Sequence, residues 1–370
     1  MKIRFFSLLL ALTLLFSLVS CDLSNIGAGE QASADNGSGN DSTSKTVITN
    51  ALDLTAEWNK VAAENTLVQG CIVVRKAFLE EHPDAVEHFL AEYEESIKYL
   101  STNLDEAAQM IVDNGIFASA PVAKKAIPKC NVCFLDGAQM KTGMQTYLGV
   151  LKGLNAAAIG GELPGDDFYY TRATNVSTEK DGVNIRVFTL NGTTGFGMAK
   201  LMNDAKEGKT TEGYTFTVKT DASEVTTALI NGDADIAALP TNAASNVYNK
   251  TSGAVKVLAV NTLGCLYLLT NQNASVSSIA DLKGKTVYAP AQNPTFILKY
   301  LCEQNGLTVG KDVIIDSTSY AQPAALKDAV AAGVVDIAVL PEPMVTIAIS
   351  SANKASGTIT AIPASSAAEK

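Results

Sequence analysis

The chain is poor in the residues that do chemistry. Among 370 residues there are two histidines and one tryptophan. His82 and His88 both fall on or beside one helix, on what reads as its solvent side, so no serine or cysteine has a histidine base to hand and a hydrolytic triad is excluded. Long hydrophobic runs are scarce too: only Phe5 to Val19 qualifies, and it is too short to span a bilayer comfortably. Basic charge is in deficit, with 28 Lys and Arg against 38 Asp and Glu and a net charge of −10. That argues against nucleic acid or an anionic membrane face as partner. No disulfide framework shows in the six cysteines. Cys130 and Cys133 form a CxxC, but there is no second CxxC to complete a zinc site, and Ile127-Pro128-Lys129 does not resemble the strand-to-helix entry of a redox motif. A local disulfide and a pair of partly buried thiols both stay open for them.

What is present begins with the leader. Lys2 and Arg4 precede the apolar run, which ends in Leu18-Val19-Ser20-Cys21: the layout of a secretory signal. The LVSC tetrad resembles the bacterial lipobox, which implies cleavage after residue 20 and acylation of Cys21. Residues 21–45 are Ser, Gly, Asn, Asp and Ala, a flexible tether with a reach of roughly 25–30 Å.

A repeat organises the rest. DIAALPTN at Asp235 to Asn242 returns as DIAVLPEP at Asp336 to Pro343; upstream, Ala228 and Gly232 answer to Ala329 and Gly333, and IRVFTL before Asn191 answers to KTVYAP before Ala291. Each copy reads strand, loop, helix, strand, helix, strand, then Leu-Pro, with nearly continuous apolar strands as in a sheet covered on both faces. The expected units are residues 46–70 (end of lobe two and hinge), 71–170 (a helical part completing lobe one), 171–183 (linker), 184–264 (lobe one), 265–277 (hinge crossing), 278–363 (lobe two) and a tail, 364–370. In the helical part, Pro83 opens a helix with Val86, Phe89, Leu90, Tyr93, Ile97 and Leu100 on one face. Asp136 is expected to cap another, carrying Met140, Met144, Tyr147, Leu148 and Leu151.

Two α/β lobes leave a cleft, and ligands of such sheets settle at the carboxyl ends of strands. Asn191-Gly192-Thr193-Thr194-Gly195 lies between a strand and a helix, where free N–H groups would favour an anionic or strongly polar group. Its lack of a lysine and of P-loop spacing argues against nucleotide phosphate. Thr241 and Asn242 follow Leu239-Pro240, and Glu342 follows Leu340-Pro341. The Glu342 carboxylate either accepts from an ammonium or ring N–H or caps the helix begun at Pro343. Gln292, Asn293 and Thr295 surround Pro294 at a further helix start.

VFTLNGTTGFGMAKLM, GDADIAALPTNAASNVYNK, VLAVNTLGCLYLLT and DIAVLPEPMVT resemble the solute-binding proteins of nitrate, sulfonate, taurine and thiamine-precursor ABC importers. GCIVVRKAFLEEHPDAV, AIPKCN and LNAAAIGGELPGDDFYY do likewise. The resemblance implies an α/β, two-lobe type II periplasmic binding protein fold: two parallel or mixed sheets flanked by helices, with a hinge of two strands. It also implies no cofactor, a permease and an ATPase as partners, a monomer held to the membrane by its lipid alone, and loops that close on a small polar or anionic solute. Asn261 to Gly264, with Thr262 among the ligand-binding residues, and Gln69-Gly70 would line the hinge. The order departs from the family: residues 51–170 match its end yet precede residues 184–363, which match its start. This is the pattern of a circular permutant, tolerated when ends lie close at the surface. Two alternatives share the fold. One is a ligand-sensing receptor; the other is the pyrimidine-precursor synthase of thiamine biosynthesis, whose cysteine-rich iron motif is missing here.

Overall fold

The computed structural model describes residues 46–356. The signal segment, Cys21, the tether and the tail read from the sequence lie outside the described residues. The chain enters with β1 (Ile48–Asp53) and α1 (Leu54–Asn59), then β2 (Val68–Arg75) and the helices α2 (Lys76–Glu81), α3 (Pro83–Thr102), α4 (Leu104–Asp113) and α5 (Ala120–Ala126). After β3 (Val132–Leu135) and α6 (Gly137–Leu154), the first repeat runs β4 (Asn184–Leu190), α7 (Thr193–Phe196), α8 (Ala199–Lys206), β5 (Gly213–Lys219), α9 (Ala222–Asn231), β6 (Ile236–Pro240), α10 (Thr241–Lys250) and β7 (Val255–Leu263). The second runs β8 (Leu266–Asn271), β9 (Thr286–Tyr288), α11 (Asn293–Gln304), β10 (Ile314–Asp316), α12 (Pro323–Ala331), β11 (Ile337–Pro341) and α13 (Met344–Ser356).

Two mixed sheets result, ordered β3-β7-β2-β6-β4-β5 and β1-β8-β11-β9-β10. In the first, β4 is parallel to β5 and β6, and β2 is antiparallel to β6 and β7. In the second, β9 is parallel to β10 and β11, and β8 is antiparallel to β11 and β1. The two copies of the repeat thus occupy equivalent places. β6 and β11 each lie between a parallel partner of their own lobe and an antiparallel strand, and each ends in Leu-Pro. Their first four residues are fully buried, which is why they read as unbroken apolar runs.

The sheets meet where the chain crosses between them, through α1 and the segment up to Val68, and back through Gly264 and Cys265. β8 already belongs to the second sheet from Leu266, so the return crossing is two residues long.

The helical part packs on lobe one. Val86, Phe89, Leu90, Tyr93, Ile97 and Leu100 of α3 are all buried, in one core with Ile72 and Val74 of β2, Ile185 and Val187 of β4 and Leu201 of α8. At roughly 1.5–3 kcal/mol for each fully buried large apolar side chain, this face alone explains why α3 cannot stand apart from the sheet. On the opposite face of the sheet, Met140, Met144, Tyr147, Leu148 and Leu151 of α6 join Cys71 and Val73.

Two local expectations are corrected. Asp136 makes no side-chain cap to α6; its carboxylate lies 3.8 Å from Arg172 Nη1 instead. His88 is not on a solvent face. It is buried, with Nδ1 2.9 Å from Glu212 Oε1 and Nε2 2.7 Å from the Ser177 carbonyl. The reason lies in residues 171–183, which are fastened across α3: Arg172 donates to Glu87, Ala173 N to Glu87 Oε1, and the Asp181 and Gly182 N–H groups to Glu212.

Candidate functional site

β6 and β11 each end in Leu-Pro, and these turns place the residues just beyond. Thr241 opens α10 and is fully buried. Glu342 comes directly after Pro341 and is 2% exposed. Its carboxylate accepts from Thr346 N at 3.1 Å and Thr346 Oγ1 at 2.9 Å, so the side chain does hold the first turn of α13. Burial pushes it up to about 7, against the pull of those two hydrogen bonds and of Lys129.

The lobes touch through named bonds. Thr193 Oγ1 donates to the Glu342 carbonyl at 2.9 Å, and Asn293 Nδ2 donates to Asn242 Oδ1 at 2.9 Å. Tyr267 OH, from β8, donates to the Lys129 carbonyl at 2.9 Å. At the hinge, Asn261 Nδ2 reaches the Thr194 carbonyl at 3.0 Å and Tyr93 OH at 3.1 Å, while Thr262 Oγ1 lies 3.2 Å from Asn261 Oδ1. Gly70 sits opposite, and a Cβ there would be 2.6 Å from Asn261 Oδ1, so only glycine leaves room for this bonded pair.

Several expected residues are committed elsewhere. The Asn191 N–H donates to the Lys219 carbonyl at 2.8 Å and the Gly192 N–H to the Ile116 carbonyl at 3.0 Å. These two donors of the Asn191 to Gly195 loop are therefore not free for an anion. Asn191 itself is exposed. Gly195 is needed for packing, since a Cβ would lie 2.1 Å from the Leu190 carbonyl oxygen. Thr295 Oγ1 donates to the Pro290 carbonyl at 2.8 Å, a local bond at the start of α11. Gln292 is exposed and, with Asn242, Asn246 and Phe296, lines an open groove of about 630 Å³ beside the helix starts.

Sequence reasoning missed Thr55 and Tyr147. Thr55 Oγ1, Tyr147 OH, Thr241 Oγ1 and Asn293 Oδ1 are buried polar atoms without a hydrogen-bond partner. Thr55 is next to the crossing, for a Cβ on Gly264 would be 2.2 Å from its Oγ1. Tyr147 is within electrostatic reach of Cys265, and its ring meets Trp58 edge-on at 6.0 Å. Asp53 caps α1 through Thr55 N at 2.8 Å, and burial raises its carboxyl. The Asp-Leu-Thr run at 53–55 was a legible cap signal; Tyr147, at core spacing, offered none.

Burial pushes the thiols of Cys71, Cys133 and Cys265 up to about 12 and raises Cys130 as well, so none is a ready nucleophile. All five described cysteines are free thiols, including Cys130 and Cys133. Among the described residues no group of three or more His, Cys, Asp or Glu could hold a metal ion, and no helix is long and apolar enough to cross a membrane.

Among solved structures the chain is similar to the periplasmic aliphatic sulphonate binding protein SsuA from Escherichia coli, at 18% identity and a TM-score of 0.34, covering 47% of this chain and 57% of that one. It is also similar to the alkanesulfonate-binding protein SsuA from Xanthomonas axonopodis pv. citri bound to MOPS, at 17% identity and a TM-score of 0.30, covering 46% and 57%. The chain thus spans little more than half the length of either. No curated protein matches it. Residues 199–367 match the family model of the phosphonate periplasmic substrate-binding proteins of ABC transporters.

Proposed function

We propose that this is an extracytoplasmic solute-binding lipoprotein that captures a small polar solute between its lobes and delivers it to an ABC permease and its ATPase. The observation that carries the reading is the cleft itself. Four buried polar atoms, on α1, α6, α10 and α11, lack partners, while bonds from both lobes bring the surrounding elements together. A buried hydroxyl or amide without a partner costs about 1–3 kcal/mol, a cost that a solute bridging both lobes would relieve. Such a solute favours closure by its differential affinity for the closed form. The match of residues 199–367 to a substrate-binding family supports the same reading.

The ligand-binding set comprises Thr193, Thr194, Thr241, Asn242, Thr262, Asn293 and Glu342, with Thr55 and Tyr147 added. Asn191, Gly192, Gly195, Gln292 and Thr295 shape the loops that carry it. Screening polar and anionic solutes by thermal shift will identify the ligand. Replacing Thr241 and Asn242 together by alanine should then weaken its binding about five- to a hundredfold, at about 0.5–1.5 kcal/mol per lost hydrogen bond. In the unliganded protein the double variant gives up the bonds of Asn242 with Asn293 Nδ2 at 2.9 Å and with the Ala158 carbonyl at 3.5 Å, a loss of about 1–3 kcal/mol that leaves the fold intact. Unchanged affinity in the double variant would move the site elsewhere.

LVSC at the end of the apolar run supports acylation of Cys21 and anchoring of the protein outside the cytoplasmic membrane. A Cys21→Ala chain should leave the membrane fraction for the soluble one; a variant that partitions like the parent would remove the anchor from this reading.

A further inference from the structure

We infer that residues 171–183 act as a latch worked by a proton: their far end, Ser177 to Gly182, is held across α3 by a cationic His88 and is let go as that histidine is deprotonated in alkaline solution. The inference stands apart from the solute-binding reading and needs no solute.

The chain has two histidines, and both bond to this one segment. His88 Nε2 lies 2.7 Å from the Ser177 carbonyl and Nδ1 2.9 Å from Glu212 Oε1, while His82 Nδ1 lies 2.7 Å from Asp181 Oδ2. A carbonyl only accepts, so Nε2 of His88 carries a hydrogen. Glu212, buried just before β5, already accepts from the Asp181 N–H at 2.8 Å and the Gly182 N–H at 3.0 Å. Burial works against its charge, yet those two N–H groups and His88 hold its carboxyl below the usual range, so it too only accepts. Nδ1 must therefore carry a hydrogen as well, and His88 is an imidazolium.

The surrounding charges agree. Glu92 faces His88 from α3 itself and Glu212 from the loop before β5; burial opposes the cation, but the Ser177 carbonyl, Glu212 and Glu92 together raise the imidazole above its ordinary value. Asp84, also on α3, accepts from the Ser177 N–H at 3.5 Å, and the Asp181 carboxylate is turned to His82. Of the bases on the segment, Arg172 is engaged with Glu87 and Glu94, and Lys180 is exposed. Among the described residues the one ion-pair partner of Glu212 is His88.

The two ends of the segment respond differently to pH. At the near end Arg172 Nε and the Ala173 N–H donate to Glu87, and the guanidinium keeps its charge throughout. At the far end a neutral His88 would have one N–H for two acceptors, leaving either the Ser177 carbonyl or the Glu212 carboxylate facing a lone pair. Because the folded value of His88 is raised, the hold is complete below the ordinary histidine value and is lost as pH rises through the folded one. Glu212, being lowered, gives way only in acid. The junction between the helical part and the first repeat is thus pinned to α3 at neutral pH and freed above it.

Hydrogen exchange of the full chain, followed by mass spectrometry on peptides covering residues 174–183 and corrected for the intrinsic pH dependence of exchange, tests this. Protection should fall about tenfold or more from about pH 6 to about pH 9 in the parent, as the loss of a charge-assisted bond implies. In His88→Gln, which has no proton to lose, protection should be low and flat over the same range; His82→Gln should keep the fall. Protection in the parent that does not change with pH, or a fall that survives in His88→Gln, overturns the inference. Nuclear magnetic resonance of labelled imidazoles in the parent is independent of how the variants fold: with two histidines, the spectrum is resolved by His82→Gln or by His88→Gln, whichever folds. His88 should carry hydrogen on both nitrogens at about pH 6 and titrate higher in the folded than in the urea-unfolded chain. A folded midpoint at or below the unfolded one overturns the inference as well.

Discussion

Glu342 concentrates the physics of the cleft in one side chain, and its pH dependence follows from its burial. The folded carboxyl titrates at about 7 against an ordinary value of 4.5, so the folded state holds a proton that the unfolded chain has released. Its contribution to stability is complete below the unfolded value and is lost as pH rises through the folded one. The loss is on the order of 3 kcal/mol for the unliganded protein. His88, also raised by its contacts with Ser177 and Glu212 against the opposing effect of burial, gives a loss of the same sign. The reading is therefore the difference between two proteins: Glu342→Gln should flatten the fall in urea-unfolding free energy between pH 4.5 and 7 relative to the parent. Parallel curves for the two would mean that Glu342 is hydrated in solution. The position of this residue was legible in the sequence as the copy of Thr241, because a repeat transfers location. Its burial was not, since that depends on Lys129, Tyr267 and Asp53, which arrive from three segments far away in the chain.

Among the elements, β6 and β11 test how far a repeat shares its energetics. Asp235 precedes β6 and is buried. Its Oδ1 accepts from Arg75 Nη2 at 2.9 Å and Arg186 Nη2 at 2.6 Å, and its Oδ2 accepts from the Arg186 N–H at 3.0 Å and Nε at 2.9 Å. Despite burial, these bonds hold its carboxyl below the usual range. The one side chain fastens β2, β4 and β6 at the end of the sheet away from the cleft. Asp336 precedes β11 in the same way but is exposed, and it accepts only from Asn271 and Asn273. Asp235→Asn should therefore cost about 1.5–3 kcal/mol, the value of bonds to a charged group, while Asp336→Asn should cost under about 1 kcal/mol. Urea unfolding of both variants measures this, with solute affinity unchanged in each. Equal losses would show that Arg75 and Arg186, both partly exposed, are satisfied by water. Strands and most helix starts were readable here, because Leu-Pro turns and prolines at helix entrances are local signals. The inward-facing His88 was not: polar residues flank it along α3, and only the path of residues 171–183 over the helix turns that side into an interior.

At the scale of the whole molecule, the order of the elements becomes a proposal that can be tested by rewiring. We propose that the chain is a circular permutant of the two-lobe fold, opened between α13 and β1 and joined through residues 171–183. β1 pairs antiparallel with β8, Ile48 opposite Asn271, and Thr46 lies against Gly333 after α12. α13 shares a core with Ile48, so both ends of the described chain belong to lobe two. Residues 171–183 are anchored on lobe one by Arg172, Ser177 and Asp181, with Glu179 and Lys180 exposed between the last two anchors. Linking residue 356 to residue 46 through about ten Gly and Ser residues, with a reach of roughly 16–19 Å, and opening the chain between Glu179 and Lys180 keeps every strand pair and each of those anchors. The cost is confined to loop closure, where doubling a flexible loop adds only about 0.6 kcal/mol. The rewired chain should melt within about 5 °C of the parent, as a change near 1 kcal/mol implies for lobes of this size, and should bind the same solute with the same affinity. If it fails to fold while a cyclised control with the linker and no new opening folds normally, the strand order is tied to this sequence's own ends and the permutation proposal is lost.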